Sequence, residues 1–223
     1  LDWLIGVFYT EEDTRRTNQN TAADDSGQPV GLIFGTWYGP AEFKESALFS
    51  TFTYSLTERF DVQFGGRYSD YEQKYDRLIE GPLLGGVFAD DTQQASDDAV
   101  TYLLTPRFKV TPDFMIYGRF ASGYRPGGPN IGCGLDPRLP CSYEADTTQN
   151  YDIGVKGALL EGKLSIDAAV YYIDWKDIQI PNIQLTPSLF YTGNASKARS
   201  QGIEFALDAR PLLTAKAKIG ISV

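Results

Sequence analysis

From Phe60 onward the chain counts by two. Phe60, Val62, Phe64, Gly66 and Tyr68 fall on one side, and Asp61, Gln63, Gly65, Arg67 and Ser69 fall on the other. Side chains alternate across a β-strand, so this run has one oily face and one wet face. The rhythm returns about nine times, over residues 1–13, 44–56, 60–75, 99–110, 114–124, 147–159, 163–178, 197–209 and a last run ending at Val223. No helical period of useful length and no linker interrupts it. The expectation is one all-β unit of antiparallel, up-and-down strands.

The predicted connections alternate in length. Thr57-Glu58-Arg59, Thr111-Pro112-Asp113, Glu161-Gly162 and the run from Arg210 to Thr214 are short turn signals. Long connections are expected over 14–43, after the third strand through Asp98, over 125–146, and around Pro181, Pro187 and Asn194. Tight turns on one rim and long loops on the other are the habit of a β-barrel crossing an outer membrane. The expected strands, about 10 to 15 residues each, also exceed the usual soluble length of about 5 to 6. Pro106 lies inside the fourth run and removes a ladder donor there.

Alternation alone does not choose between a soluble sandwich and a membrane wall. Aromatic placement and the partition of charge favour lipid. Tyr54, Phe60, Phe108 and Phe114 lie near the short turns, and Tyr9, Tyr68, Tyr124, Tyr151 and Tyr172 toward the long connections. Amphipathic rings prefer the two bilayer interfaces. The expected mid-membrane outward positions, Ile5, Phe52, Phe64, Leu104, Val155 and Ala168, carry no charge. Arg67, Arg107, Arg119, Asp152, Lys156 and Glu204 all fall on the opposite face, which a water-filled lumen requires.

Composition narrows function. The net charge of −9 argues against a nucleic-acid partner, which needs clustered Lys and Arg. There is no histidine, so the commonest metal ligand and general base are missing, and no enzyme and no metal site is expected. Cys133 and Cys141 share one Gly/Pro-rich loop; a disulfide is expected over two free thiols, as suits an oxidising compartment. The acidic pairs Asp24-Asp25, Asp90-Asp91 and Asp97-Asp98 admit calcium bridging lipopolysaccharide, but solvated carboxylates are the plainer reading. Gly85-Gly86 and Gly127-Gly128 do not open helices and so fail as phosphate loops; Asn194-Ala195-Ser196 matches a glycosylation triplet of a kind that arises by chance. Both ends lie inside alternating runs, so the sequence is expected to be an internal piece of a longer protein.

Several runs resemble TonB-dependent outer-membrane receptors. Tyr117 to Gly128 looks like the family segment Y-x-R-x-x-x-G-[YF]-R-P-G-G. Tyr151 to Lys156 followed by Leu164 to Tyr172 is similar to the family hairpin Y-E-x-G-x-K and L-x-x-x-A-x-F-Y. Asn194-Ala195 with Gly202-Ile203-Glu204, and Thr57 to Tyr68, match two further family segments in order. The resemblance implies about nine strands of a barrel of about 22, occluded by a plug domain and energised through TonB. Residues 1–223 would then all belong to the barrel domain, without the plug, the TonB box or the C-terminal strands. An isolated piece with two open edges is expected neither to insert stably nor to transport.

The resemblance implies energy-coupled uptake of a scarce solute, most often a ferric siderophore, with iron carried as a chelate and no cofactor. The alternatives are a passive porin-like barrel and uptake of a non-iron solute such as a carbohydrate or cobalamin. Partners would be outer-membrane lipid and lipopolysaccharide, the plug, the TonB complex and the siderophore-like ligand. Candidate capture residues are Arg15, Arg16, Trp37, Tyr38, Arg125, Tyr143, Phe190 and Tyr191, since cations suit an anionic chelate and rings stack on aryl groups.

Overall fold

The computed structural model describes residues 1–82, 86–186, 189–209 and 219–222. Gly85, Pro187, the turn from Arg210 to Thr214, and Lys216, Ala217, Lys218 and Val223 of the ninth run lie outside them. The strands are β1 (Asp2–Ala23), β2 (Pro29–Ser55), β3 (Phe60–Gly81), β4 (Gly86–Thr111), β5 (Phe114–Arg125), β6 (Gly128–Pro129), β7 (Ser142–Tyr143), β8 (Asp146–Leu159), β9 (Leu164–Lys176), β10 (Gln179–Thr186), β11 (Leu189–Asn194), β12 (Lys197–Ala209) and β13 (Ile219–Ser222). Nine of them form one sheet in the order β1-β2-β3-β4-β5-β8-β9-β12-β13. The described pairs within it are antiparallel, as an up-and-down wall requires. Among the described residues the sheet does not close on itself.

Two of the expected long loops are strand instead. β1 continues to Ala23 and β2 begins at Pro29, so most of 14–43 is paired chain, and β3 and β4 likewise continue to Gly81 and from Gly86. The projecting half of β1 is exposed on both faces, so the apolar alternation disappears there although the hydrogen-bond ladder continues. Twenty-two residues of β1 reach about 70 Å at 3.3 Å each, against a hydrocarbon core near 30 Å. The β1–β2 turn is closed by Asp24, whose Oδ1 accepts from the Ser26 and Gln28 amides, both at 2.9 Å. The Ser26 hydroxyl donates to the same oxygen at 2.6 Å and, with these amides, holds the Asp24 carboxyl below its usual pKa, so it serves the turn.

The register fixes the two faces. Trp3, Phe52, Phe64, Leu104, Phe120, Tyr151 and Tyr172 form one cross-strand row. Within it Phe52 stacks on Phe64 at 5.5 Å and Phe120 meets Tyr151 at 4.9 Å. This face carries Val7, Val100, Ile153 and Ile203, each more than 60% exposed, as a lipid-facing wall does. On the other face Asp61, Arg107, Tyr117, Gly154, Ala169 and Glu204 form a row.

Four rings on this inner face lie over glycines of the neighbouring strand. They are Phe49 over Gly6, Tyr75 over Gly39, Tyr117 over Gly154 and Tyr171 over Gly202. A Cβ at Gly6 would sit 2.5 Å from the Phe49 ring. Phe49, which blurs the alternation of the second run, is therefore an inward cover for a bare stretch of backbone.

Pro106 sits opposite Val62 of β3, and the β4–β5 ladder passes over Thr105 and Pro106. That ladder also ends at Leu103 and Ala121, where the Tyr102 amide turns to the Ser122 hydroxyl instead. Tyr124, expected at the lipid interface, lies on the inner side. Its ring stacks on Tyr71 at 5.9 Å and its hydroxyl donates to Glu45 at 3.1 Å.

Candidate functional site

Where β1–β4 extend past the bilayer, two shorter segments fold over the inner face. The first, from Pro126 to Ala145, contains β6 and β7 and is closed by the Cys133–Cys141 disulfide. The second is the β10–β11 hairpin. The segment around the cysteines makes its own turns: Cys133 N donates to Asn130 O, Leu135 N to Gly132 O, and Asn130 N to Cys141 O. Asp136 caps another turn by accepting from Arg138; the same bonds lower its pKa to about 2.

Buried side chains tie these segments together. Asp146, 2% exposed, pairs with Arg125 and accepts from Gln179 N at 3.2 Å. The Gln179 amide reaches the carbonyls of Arg125, Pro126 and Glu144. Asn194 donates to the Glu144 and Asp177 carbonyls and accepts from Glu144 N. Its side chain is thus occupied by the backbone, which leaves no role for the glycosylation triplet. Gly127 receives the chain closely, because a Cβ there would collide with the Tyr143 carbonyl and the backbone of Glu144. Its amide donates to the hydroxyl of fully buried Tyr71 at 3.1 Å.

Between these segments and the projecting strands lies a cavity of about 580 Å³. Its lining includes Arg16, Trp37, Tyr38, Phe43, Tyr75, Tyr143, Phe190 and Tyr191, with Ile131, Leu135 and Leu189. Burial pushes the Tyr143 hydroxyl above its ordinary pKa, so the phenol is neutral at physiological pH. A space of this size, aromatic with a few polar groups, is that of a small-molecule site. Rings offer stacking faces, and Arg16 offers a fork for an anion.

Six of the eight candidate capture residues line this cavity: Arg16, Trp37, Tyr38, Tyr143, Phe190 and Tyr191. Arg15 and Arg125 do not. Arg15 is one step out of phase with Arg16 and so takes the outer face, where the strand alternation sends it. Arg125 is committed to Asp146 and the Gln179 carbonyl and lies 5.7 Å from the Trp175 ring, holding the loop base. The sequence reading missed Phe43, Tyr75 and Arg77. All three lie on β2 or β3 rather than in loops, on stretches where the oily alternation has already ended.

The charged residues expected on the inner face share one side by register. Arg67 pairs with Glu45 at 2.6 Å and lies over the Phe8 ring at 4.9 Å. Arg107 pairs with Asp61 at 2.5 Å, Lys156 with Asp167 at 2.7 Å, and Asp152 accepts from Asn150 at 2.6 Å. Arg119 and Glu204 occupy the same side. Of the acidic pairs, Asp24 caps a turn, Asp91 binds Arg77 and Asp97 accepts from the Asp98 amide. The described residues hold no cluster of three or more ligands fit for a metal ion.

A family model for "TonB dependent receptor-like, beta-barrel" matches residues 1–221. The pesticin receptor of Yersinia enterocolitica serotype O:8 is 31% identical over 206 residues, which is 92% of this chain and 28% of that protein. The probable TonB-dependent siderophore receptor PiuA of Acinetobacter baumannii is 23% identical over 157 residues, 69% of this chain and 20% of its own. Among solved structures, the ferric yersiniabactin uptake receptor FyuA from Yersinia pestis superposes with a TM-score of 0.70 at 25% identity. That match covers 94% of this chain and 30% of FyuA. The siderophore receptor PiuA from Acinetobacter baumannii follows at 0.69 and 17% identity, over 93% of this chain and 32% of its own. The chain thus spans less than a third of each of these relatives.

Proposed function

We infer that this chain, which belongs to the TonB-dependent receptor β-barrel family and so sits in the outer membrane of Gram-negative bacteria, forms the cargo-capturing part of a receptor for a ferric siderophore. The supporting observation is the cavity of about 580 Å³ at the outer end of the wall, with Trp37, Tyr143, Phe190, Tyr191 and Arg16 on its surface. Residues 1–223 belong to the barrel domain, the nine-stranded sheet serving as its wall, and the plug and remaining strands complete it. Lipid and lipopolysaccharide surround the outer face. The plug closes the lumen, and the TonB complex supplies energy through it. Iron enters as a chelate, as cargo and not as a cofactor, and no bond of the cargo is broken, so the protein is not an enzyme.

The test uses the full-length receptor with ferric yersiniabactin as the probe. Iron-starved cells carrying it accumulate the labelled chelate, and Trp37→Ala weakens binding. Uptake that persists undiminished in cells lacking TonB would overturn the reading in favour of a passive pore.

A further inference from the structure

The innermost charge of the cavity wall is Arg77 on β3. It is 5% exposed, a burial that a cation tolerates only when it is paired and hydrogen-bonded. Its guanidinium makes a two-pronged contact with Asp91 of β4, Nε to Oδ1 and Nη2 to Oδ2, both at 2.6 Å. The remaining donors point across the cavity edge. Nη1 donates to the Ile131 carbonyl, and Nη2 also reaches the Cys133 carbonyl at 3.4 Å. These carbonyls lie 54 and 56 residues further along the chain, at and just before the start of the disulfide loop.

Holding that point holds more than one loop. Gly132, between the two carbonyls, packs against Leu139 and Leu189 closely enough that a Cβ would strike Leu139. Asn130 binds the backbone of Thr192 on β11. One arginine therefore links the β3–β4 hairpin to both segments that face it across the cavity. A planar fork with five donors can hold a carboxylate by two prongs and still reach two carbonyls, whereas an ammonium group has three donors on one atom and no fork. Burial makes each of these bonds expensive to lose.

We propose that Arg77 is the positioning residue of the cavity: oriented by Asp91, it grips the Ile131 and Cys133 carbonyls and so sets where the facing wall stands. This rests on reading the cavity as the cargo site, but the grip itself is measurable without cargo. Asp91 also accepts from Gln93 at 2.9 Å, but it reaches the facing wall through Arg77.

Hydrogen exchange of the full-length receptor in outer-membrane vesicles, without cargo, tests it. Arg77→Gln raises exchange over 129–141 by about tenfold while 147–159 and 164–176 stay protected. Asp91→Asn has the same local effect to a smaller degree, and adding it to Arg77→Gln changes nothing more. Arg77→Lys keeps the charge but not the fork and does not restore protection. Should Arg77→Gln fail to assemble, the Asp91→Asn and Arg77→Lys proteins carry the measurement. Unchanged exchange over 129–141, or an equal rise along 147–176, would overturn the proposal. With ferric yersiniabactin as the probe, the half-saturating concentration for uptake rises about tenfold in Arg77→Gln at unaltered maximal rate. A wild-type receptor that ignores this probe counts against the cargo reading alone, because the exchange result stands apart from it.

Discussion

The side chain of Asn130 and the backbone of Thr192 exchange two hydrogen bonds across 62 residues of sequence. Nδ2 donates to the Thr192 carbonyl at 2.9 Å and Oδ1 accepts from its amide at 2.8 Å. Asn130 is 4% exposed, so neither group has water as a ready substitute. Asn130→Ala is expected to destabilise the joined segments by about 1 to 3 kcal/mol, the usual cost of stranding buried polar groups. Faster amide exchange over 189–194, with the disulfide intact, is the expected readout; unaltered exchange there would refute it.

The ring of Phe49 over Gly6 leads to a second prediction. Gly6→Val has to displace that ring, because a Cβ meets it at 2.5 Å. Overpacking of this kind costs about 1 to 3 kcal/mol. The denaturant midpoint of the full-length receptor in liposomes should fall accordingly. Combining Gly6→Val with Phe49→Ala should recover part of the loss, because the conflict is gone.

Adjacent residues of β4 separate the two media. Leu104 shares the outer row with Phe64 and Phe120, whereas Leu103 points inward opposite Ala121. Leu104→Arg should cost about 2 to 4 kcal/mol of stability in the bilayer. Leu103→Arg should cost less, because its cation meets water. Equal losses in liposome unfolding would mean the faces are assigned wrongly.

Asp136 supplies a pH signature. Its hydrogen bonds from Arg138 depress its pKa from 3.8 to about 2. A depressed carboxyl contributes its stabilisation fully above the unfolded value and loses it as pH falls through about 2. The labelled carboxyl carbon of Asp136 should therefore titrate near 2, and Arg138→Ala should return the midpoint toward 3.8. A wild-type midpoint near 3.8 would contradict the turn described.

Much of the wall was legible because lipid writes a strong pattern. In β3, every second residue from Phe60 to Tyr68 had to suit hydrocarbon, so register and face followed from one run. The projecting halves of β1–β4 were not legible, since Thr14 to Ala23 face water on both sides and carry no period. Residue type still pointed to the cavity through Trp37, Tyr143 and Tyr191. Arg15 and Arg125 lie outside the cavity lining for different reasons. A neighbour one position along a strand points the opposite way, and a buried Asp146 far along the chain claimed the other. Arg77 gave no sequence signal at all, because its partners lie 14, 54 and 56 residues away.

The length of β1 through β4 has a consequence for how such a receptor can change. One ladder serves two masters: its lower half answers only to oil, its upper half only to whatever must be caught. On the proposed cargo reading, substitutions above the bilayer can remodel taste for a new chelate without touching the part that decides whether the molecule enters the membrane. Insertion and selectivity are thereby free to evolve on separate stretches of the same strand.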